Sequence, residues 1–283
     1  MLKQKKIAVI NDFSGFGRCS LTVSLPIISA AGIQCCPLPT AVFSNHTGYK
    51  DYFFDDYTYK MEIYYSKWEK LGLSFDGIYT GFLGSDKQVD IVTDFIRKFA
   101  SPETYIIVDP VMGDNGKTYS TLTDSLCRHI GTLAKGADVM TPNLTEACIL
   151  ADIPYNENIT EINELSELAR KLISLGSKNI VITGIDQGNN IGNFIYRQNG
   201  TYQMITSPRL GKPRAGTGDV FTSVIAACTV NGMSLEDSVK EACRFTEKSI
   251  RLSDEMNIPS QDGLCFEPFL KELSVSSEKE CEN

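Results

Sequence analysis

Histidine is nearly absent from the chain, which holds only His46 and His129. Among its nine cysteines no two stand as a C-x-x-C pair, and the spacing argues against a Cys/His zinc centre. The cysteine count is odd and most members sit inside apolar segments, so they read as small buried hydrophobes of a reducing compartment, without a disulfide framework. Basic clusters are also missing. The 27 Lys and Arg are outnumbered by 35 Asp and Glu, a net charge of -8, and no Lys/Arg-rich stretch offers the face that would replace phosphate counterions on a nucleic acid. A small-molecule partner is expected instead. No apolar run approaches bilayer-crossing length. The first, residues 7–10, is broken by Asn11 and Asp12 and is too short for a signal-peptide core. The expected location is the cytoplasm, away from any membrane.

Repeats, low-complexity tracts and Pro/Gly/Ser linkers are likewise lacking. The 283 residues suit one large α/β domain, taken as residues 1–274, with a polar tail over 275–283. Short β-branched runs at 6–10, 33–37, 77–79, 104–108, 138–140 and 179–182 alternate with amphipathic helical patterns at 59–71, 87–99, 124–134 and 161–175. That alternation predicts right-handed βαβ units around a mostly parallel sheet with helices on both faces. Runs at 192–197 and 201–206 flank Gln198-Asn199-Gly200, a hairpin signal that adds an antiparallel edge. Helices are expected at 218–230, 234–252 and 267–273, the second opened by Ser234 and Asp237 in a capping-box pattern.

Polar residues collect where the predicted strands end: Asp12, Thr80-Gly81, Asp109-Pro110, Thr141-Pro142-Asn143 and Thr183-Gly184. In open α/β sheets ligands bind beyond the carboxyl ends of strands, so five such ends on one rim predict one composite site. Residues 15–20, Gly-Phe-Gly-Arg-Cys-Ser, imitate half of a dinucleotide fingerprint. They lack its third glycine and the ribose-binding acid about 20 residues on, and read as a flexible loop lining a substrate site. Residues 113–118, Gly-Asp-Asn-Gly-Lys-Thr, have two residues between the glycines where a P-loop has four.

The most informative stretch is Arg214-Ala215-Gly216-Thr217-Gly218-Asp219, followed by an apolar stripe at helical spacing. Two glycines and a helix start present backbone N–H groups and a positive dipole end, the local chemistry of a phosphate site. Phosphoryl transfer needs donors for the moving group, carboxylates for Mg²⁺ and a base near the attacking hydroxyl. Gly216, Thr217 and Gly218 suit the first need; Asp109, Asp114 and Glu146 suit the second. Asp219 suits the third, taking the proton as the new bond forms.

At these residues the chain resembles the ribokinase-like superfamily, with its three-layer α/β sandwich. Residues 42–49, Val-Phe-Ser-Asn-His-Thr-Gly-Tyr, are similar to those of pyridoxal kinases within the vitamin-kinase branch. Residues 109–114, Asp-Pro-Val-Met-Gly-Asp, and 141–146, Thr-Pro-Asn-Leu-Thr-Glu, also suit hydroxymethylpyrimidine kinases. The resemblance implies ATP-dependent phosphorylation of the hydroxymethyl group of a vitamin B6 vitamer. Asp12, His46, Thr47 and Phe82 would then lie on the substrate side. Asp114, Asn143, Thr183, Gly184 and Arg214 would lie on the nucleotide side, Asp109 and Glu146 in the metal network, and Asp219 would be the base. It also implies Mg²⁺, ATP as co-substrate and a homodimer, and it leaves room for a monovalent cation. Three positions depart from the family pattern: Asp12 replaces a usual Ser, Phe82 a Tyr, and Tyr119 a Cys found in some relatives. The alternatives are a hydroxymethylpyrimidine or other small-alcohol kinase and, from another class, a nucleotide-sensing regulatory module.

Overall fold

The computed structural model describes residues 4–119 and 121–274; the expected polar tail, 275–283, lies outside them. Eleven strands are present among the described residues: β1 Lys6–Phe16, β2 Gln34–Asn45, β3 Phe54–Asp56, β4 Gly77–Thr80, β5 Tyr105–Val108, β6 Gly113–Asp114, β7 Lys117–Thr118, β8 Val139–Met140, β9 Asn179–Gln187, β10 Asn190–Arg197 and β11 Tyr202–Pro208. The α-helices are α1 Leu21–Ala30, α2 Thr58–Lys70, α3 Asp86–Phe99, α4 Asp124–Gly131, α5 Leu144–Leu150, α6 Ile162–Ser174, α7 Thr217–Val230 and α8 Leu235–Glu255. Residues Glu267–Leu273 form a 3-10 helix.

Nine strands make one sheet in the order β11-β10-β9-β8-β5-β4-β1-β2-β3. The six central strands, β9 to β2, pair in parallel. Antiparallel strands close both edges: β10 and β11 on one side, as the Asn-Gly turn predicts, and β3 on the other, which the sequence reading did not anticipate.

Side chains on successive strand residues point to opposite faces, and the core obeys that period. Ala8 and Ile10 of β1 pack with α2 to α6, whereas Ile7 and Val9 pack with α1, α7 and α8. The same split separates Ile180 and Ile182 from Val181 in β9. Helices therefore cover both faces, and the three-layer α/β sandwich expected from the sequence is the fold.

Several expected boundaries move. β1 does not stop at Ile10; it slips register between Asn11 and Phe13 and runs on to Phe16. Gly15 and Phe16 are thus strand residues, not part of a flexible loop. β2 extends with it to Asn45, and β9 continues through Thr183 and Gly184 instead of ending before them. Residues 113–118 form a hairpin whose Asn115 and Gly116 both take positive φ, 50° and 75°. The Asn-Gly pair was its signal. Two helices escaped the sequence reading. In α1 the residues are apolar all round and include Pro26, so no amphipathic period shows. α5 has only seven residues.

All eight described cysteines are free, and burial pushes the thiol of Cys35 up to about 12. Adding a reductant should therefore leave the melting temperature unchanged. A calorimetric scan showing a drop of several degrees would overturn the expectation of a reducing compartment.

Candidate active site

Asn11 of β1, Asp109 after β5 and Thr141 after β8 bond to side chains in the first two turns of α7, and Gly81 after β4 lies against Asn11. Gly216 caps that helix at φ +69°, and no side chain caps it. The first-turn N–H groups are thus left without intrahelical partners. The two glycines differ in what they permit. A Cβ at Gly216 would stand 1.8 Å from the Arg18 carbonyl oxygen, whereas one at Gly218 meets nothing within 4 Å. Gly216 is required by the protein's own backbone; Gly218 borders open space at the positive end of a helix.

Asp219 lies in that first turn. Its Oδ1 accepts the Asn11 Nδ2–H group at 3.2 Å, and the nearby Ser20 backbone N–H works to hold the carboxyl's pKa down. Burial, and next the charge of Asp12, push its carboxyl up to about 6. Asp12 is 5% exposed. Its oxygens accept the hydroxyls of Ser20 at 2.5 Å and Ser14 at 2.9 Å, and burial raises its pKa despite those bonds.

A second carboxylate group lies beside them. Glu146 closes a capping box on α5: its Oε2 accepts the Asn143 N–H at 2.9 Å, and Asn143 Oδ1 accepts the Glu146 N–H at 3.0 Å. Its other oxygen accepts the Met112 N–H at 3.0 Å. The box is worth about 1 kcal/mol to the helix, and its Asn-x-x-Glu spacing is a signal that the sequence analysis passed over. Asp109 accepts the Thr222 hydroxyl at 3.3 Å. Burial raises both carboxyls, and the charges of Glu146 and Asp219 raise Asp109 further. None of Asp12, Asp109, Glu146 and Asp219 is ion-paired with Lys or Arg among the described residues.

The hairpin of residues 113–118 is pinned over this group. Asn143 Nδ2 donates to the Gly113 carbonyl at 2.7 Å, and the Gly116 N–H donates to Thr145 Oγ1 at 2.9 Å. Asp114 is exposed at its tip. Thr183 bridges to Asn143, its N–H donating to the Pro142 carbonyl at 2.9 Å, and Gly184 follows at φ +71° facing open space.

On the other side, His46 Nδ1 accepts the Gly48 N–H at 3.1 Å, so the proton sits on Nε2 and is donated to the Gln261 carbonyl at 2.7 Å. Thr47 is exposed in the adjoining turn. Phe82 donates its N–H to Asn11 Oδ1 at 2.8 Å, and its ring stands 6.3 Å from Phe43. Arg214 is drawn elsewhere. Its guanidinium bonds to the Ile258 carbonyl at 2.8 Å and to Asp254, tying the preceding loop to the end of α8. Asn11, Ser14, Ser20 and Thr222 were not singled out from the sequence. Only the polar break after the first apolar run hinted at Asn11.

Solved structures and characterised sequences place this geometry among relatives. A Bacteroides thetaiotaomicron protein provisionally named phosphomethylpyrimidine kinase is 40% identical in a crystal form with pyridoxal. That comparison covers 97% of this chain and 98% of the other, at a TM-score of 0.91. Pyridoxal kinase from Lactobacillus plantarum is 26% identical, with 96% and 97% covered and a TM-score of 0.88. A chloroplastic bifunctional thiamine biosynthetic enzyme of Arabidopsis thaliana is 26% identical over 260 residues. The match takes in 90% of this chain but spans only 48% of that enzyme's length. The profile of the phosphomethylpyrimidine kinase family matches residues 36–264. By that match, and by its likeness to the Bacteroides protein, the chain belongs to the phosphomethylpyrimidine kinase family.

Proposed function

We propose that the chain transfers the γ-phosphoryl group of ATP to the hydroxymethyl group of a vitamin B6 vitamer, with Asp219 as base. The observation that carries the reading is the start of α7, where unpartnered N–H groups and the open space at Gly218 adjoin a carboxylate poised near pH 6. The N–H groups suit a phosphoryl group that gains charge on its outer oxygens, and Asp219 accepts the alcohol proton as the P–O bond forms. Asn143, Thr183 and Gly184 line the nucleotide side, with Asp114 on the hairpin above. Arg214 would serve that side by holding the loop before α7.

The donor chemistry fits Mg²⁺. Asp109 and Glu146 are buried carboxylates without a neighbouring cation, and no three His, Cys, Asp or Glu side chains among the described residues form a direct ligand set. A hydrated Mg²⁺ that keeps several waters suits such a pair, and it would supply charge neutralisation to the phosphates. Potassium or another monovalent cation is a separate variable for the same assay, and the homodimer belongs to the same reading.

The pyridine preference rests on His46, Thr47, Phe82 and Asp12 and on the pyridoxal bound by the Bacteroides relative. The likeness to the Haemophilus influenzae hydroxymethylpyrimidine/phosphomethylpyrimidine kinase favours a second reading, hydroxymethylpyrimidine as acceptor. An ATP-consumption assay against pyridoxal, pyridoxine, pyridoxamine, hydroxymethylpyrimidine and ribose separates them. Turnover of the three vitamers above the others is expected; faster turnover of the pyrimidine would reverse the order, and no turnover at all would remove the kinase reading.

Asp12 supplies a finer test. A carboxylate favours a protonated pyridine ring, and a charge-assisted bond is about twice as strong as a neutral one. Asp12→Asn should raise the vitamer KM about tenfold, on the order of 1.4 kcal/mol, with kcat less affected. An unchanged KM with altered Mg²⁺ dependence would show that Asp12 serves the metal side instead.

A further inference from the structure

We propose that Asn11 is a positioning residue for the transfer base: its side-chain amide, locked by two backbone donors, holds the Asp219 carboxylate toward the acceptor hydroxyl. The proposal rests on the kinase reading and adds a residue that reading does not use. Asn11 sits at the register slip in β1 and is 1% exposed. Its Oδ1 accepts two backbone N–H groups, from Asp12 at 2.9 Å and from Phe82 at 2.8 Å. An amide oxygen only accepts and an amide nitrogen only donates, so these two bonds fix which end is which. The NH₂ group is left facing Asp219 Oδ1 at 3.2 Å.

The amide has little room to turn. A Cβ at Gly81 would stand 2.4 Å from Asn11 Nδ2, so the amide lies against bare backbone at the end of β4. Gly81 is itself held there by its N–H bond to the Ile10 carbonyl at 2.8 Å. Asp219 meets the like charge of Asp12, and its own charge bears on Asp109. A buried carboxylate beside another keeps its direction through its donors, and the side-chain donor here is Asn11 Nδ2. Ser20 keeps its place at φ 53°, a strained value for a residue with a side chain, through its hydroxyl bond to Asp12. One amide thus links the substrate loop at Phe82, the Asp12 backbone and the base.

The test is Asn11→Asp, which keeps an oxygen for both N–H donors and replaces only the group that faces Asp219. It should lower kcat about 10- to 100-fold, the scale of a misplaced reacting group, with KM for ATP and alcohol within about twofold. A residue that acts through Asp219 has nothing to act on once Asp219 is Asn. In that background Asn11→Asp should change the residual kcat by less than about twofold. Equal losses in both backgrounds, or no loss in the wild-type background, would overturn the proposal. Should Asn11→Asp not fold, the neutral Asn11→Ser carries the same two-background comparison. Wild-type enzyme assayed alongside reads the kinase proposal by itself. A crystal structure of the Asn11 variant reads this one without turnover, because an unmoved Asp219 carboxylate would overturn it.

Discussion

Asp219→Asn should lower kcat by roughly 10²–10⁴-fold, the usual worth of a positioned general base, while ATP affinity changes little. The substitution keeps the shape of the side chain and its place in the first turn of α7, so the N–H groups proposed to hold phosphate are undisturbed. It removes only the group proposed to take the alcohol proton. The same carboxyl should set the acid limb of the wild-type pH profile. Burial, reinforced by the charge of Asp12, pushes it up to about 6, so activity should climb as pH rises through that value and level off above it. The variant should lack that limb. Stability follows the opposite sign. A carboxyl raised in the folded state favours folding at low pH, and that contribution is lost as pH rises through the folded value. At pH 8 the ionised, desolvated side chain contributes no such stability, so the melting temperature of Asp219→Asn should not fall. Near-normal turnover would remove Asp219 from the chemistry.

Gly218→Val should abolish most turnover, a loss on the order of 10²–10³-fold for an obstructed oxyanion-type site, in a protein that melts at its normal temperature. A Cβ at this position meets no atom within 4 Å outside its own turn of the helix, so the added side chain should displace a ligand and leave the fold in place. Gly216→Val is the control with the opposite signature. Its Cβ would stand 1.8 Å from the Arg18 carbonyl and its φ is +69°, so the turn itself must give way. Lower stability should accompany its loss of activity. Measuring kcat and melting temperature for both variants checks the assignment, and an active Gly218→Val would refute the phosphate role of this turn.

Much of the arrangement at the start of α7 was readable in one dimension because it is local. A helix start carries its unpaired N–H groups wherever it sits, so Gly216, Thr217, Gly218 and Asp219 point to an anion from their spacing alone. The same holds for the Asn199-Gly200 hairpin. The β1 and β9 boundaries were misplaced for a related reason. Polar residues at Asn11, Asp12 and Thr183 look like strand ends, yet neighbouring strands supply the backbone partners that let each chain run on.

Periodicity, composition and turn residues determined the α/β sandwich, the parallel centre, one antiparallel edge and the candidate base. Tertiary structure alone decided which carboxylates share a buried space and which cation is spent elsewhere. Arg214 lies five residues from Asp219, but its guanidinium is bonded to Asp254 and Ile258 at the end of α8. Asn11 lies 208 residues from Asp219 and bonds to it. Covalent proximity fixes backbone chemistry within a turn; a long side chain follows the nearest buried partner, and that partner is chosen by how the strands and helices pack.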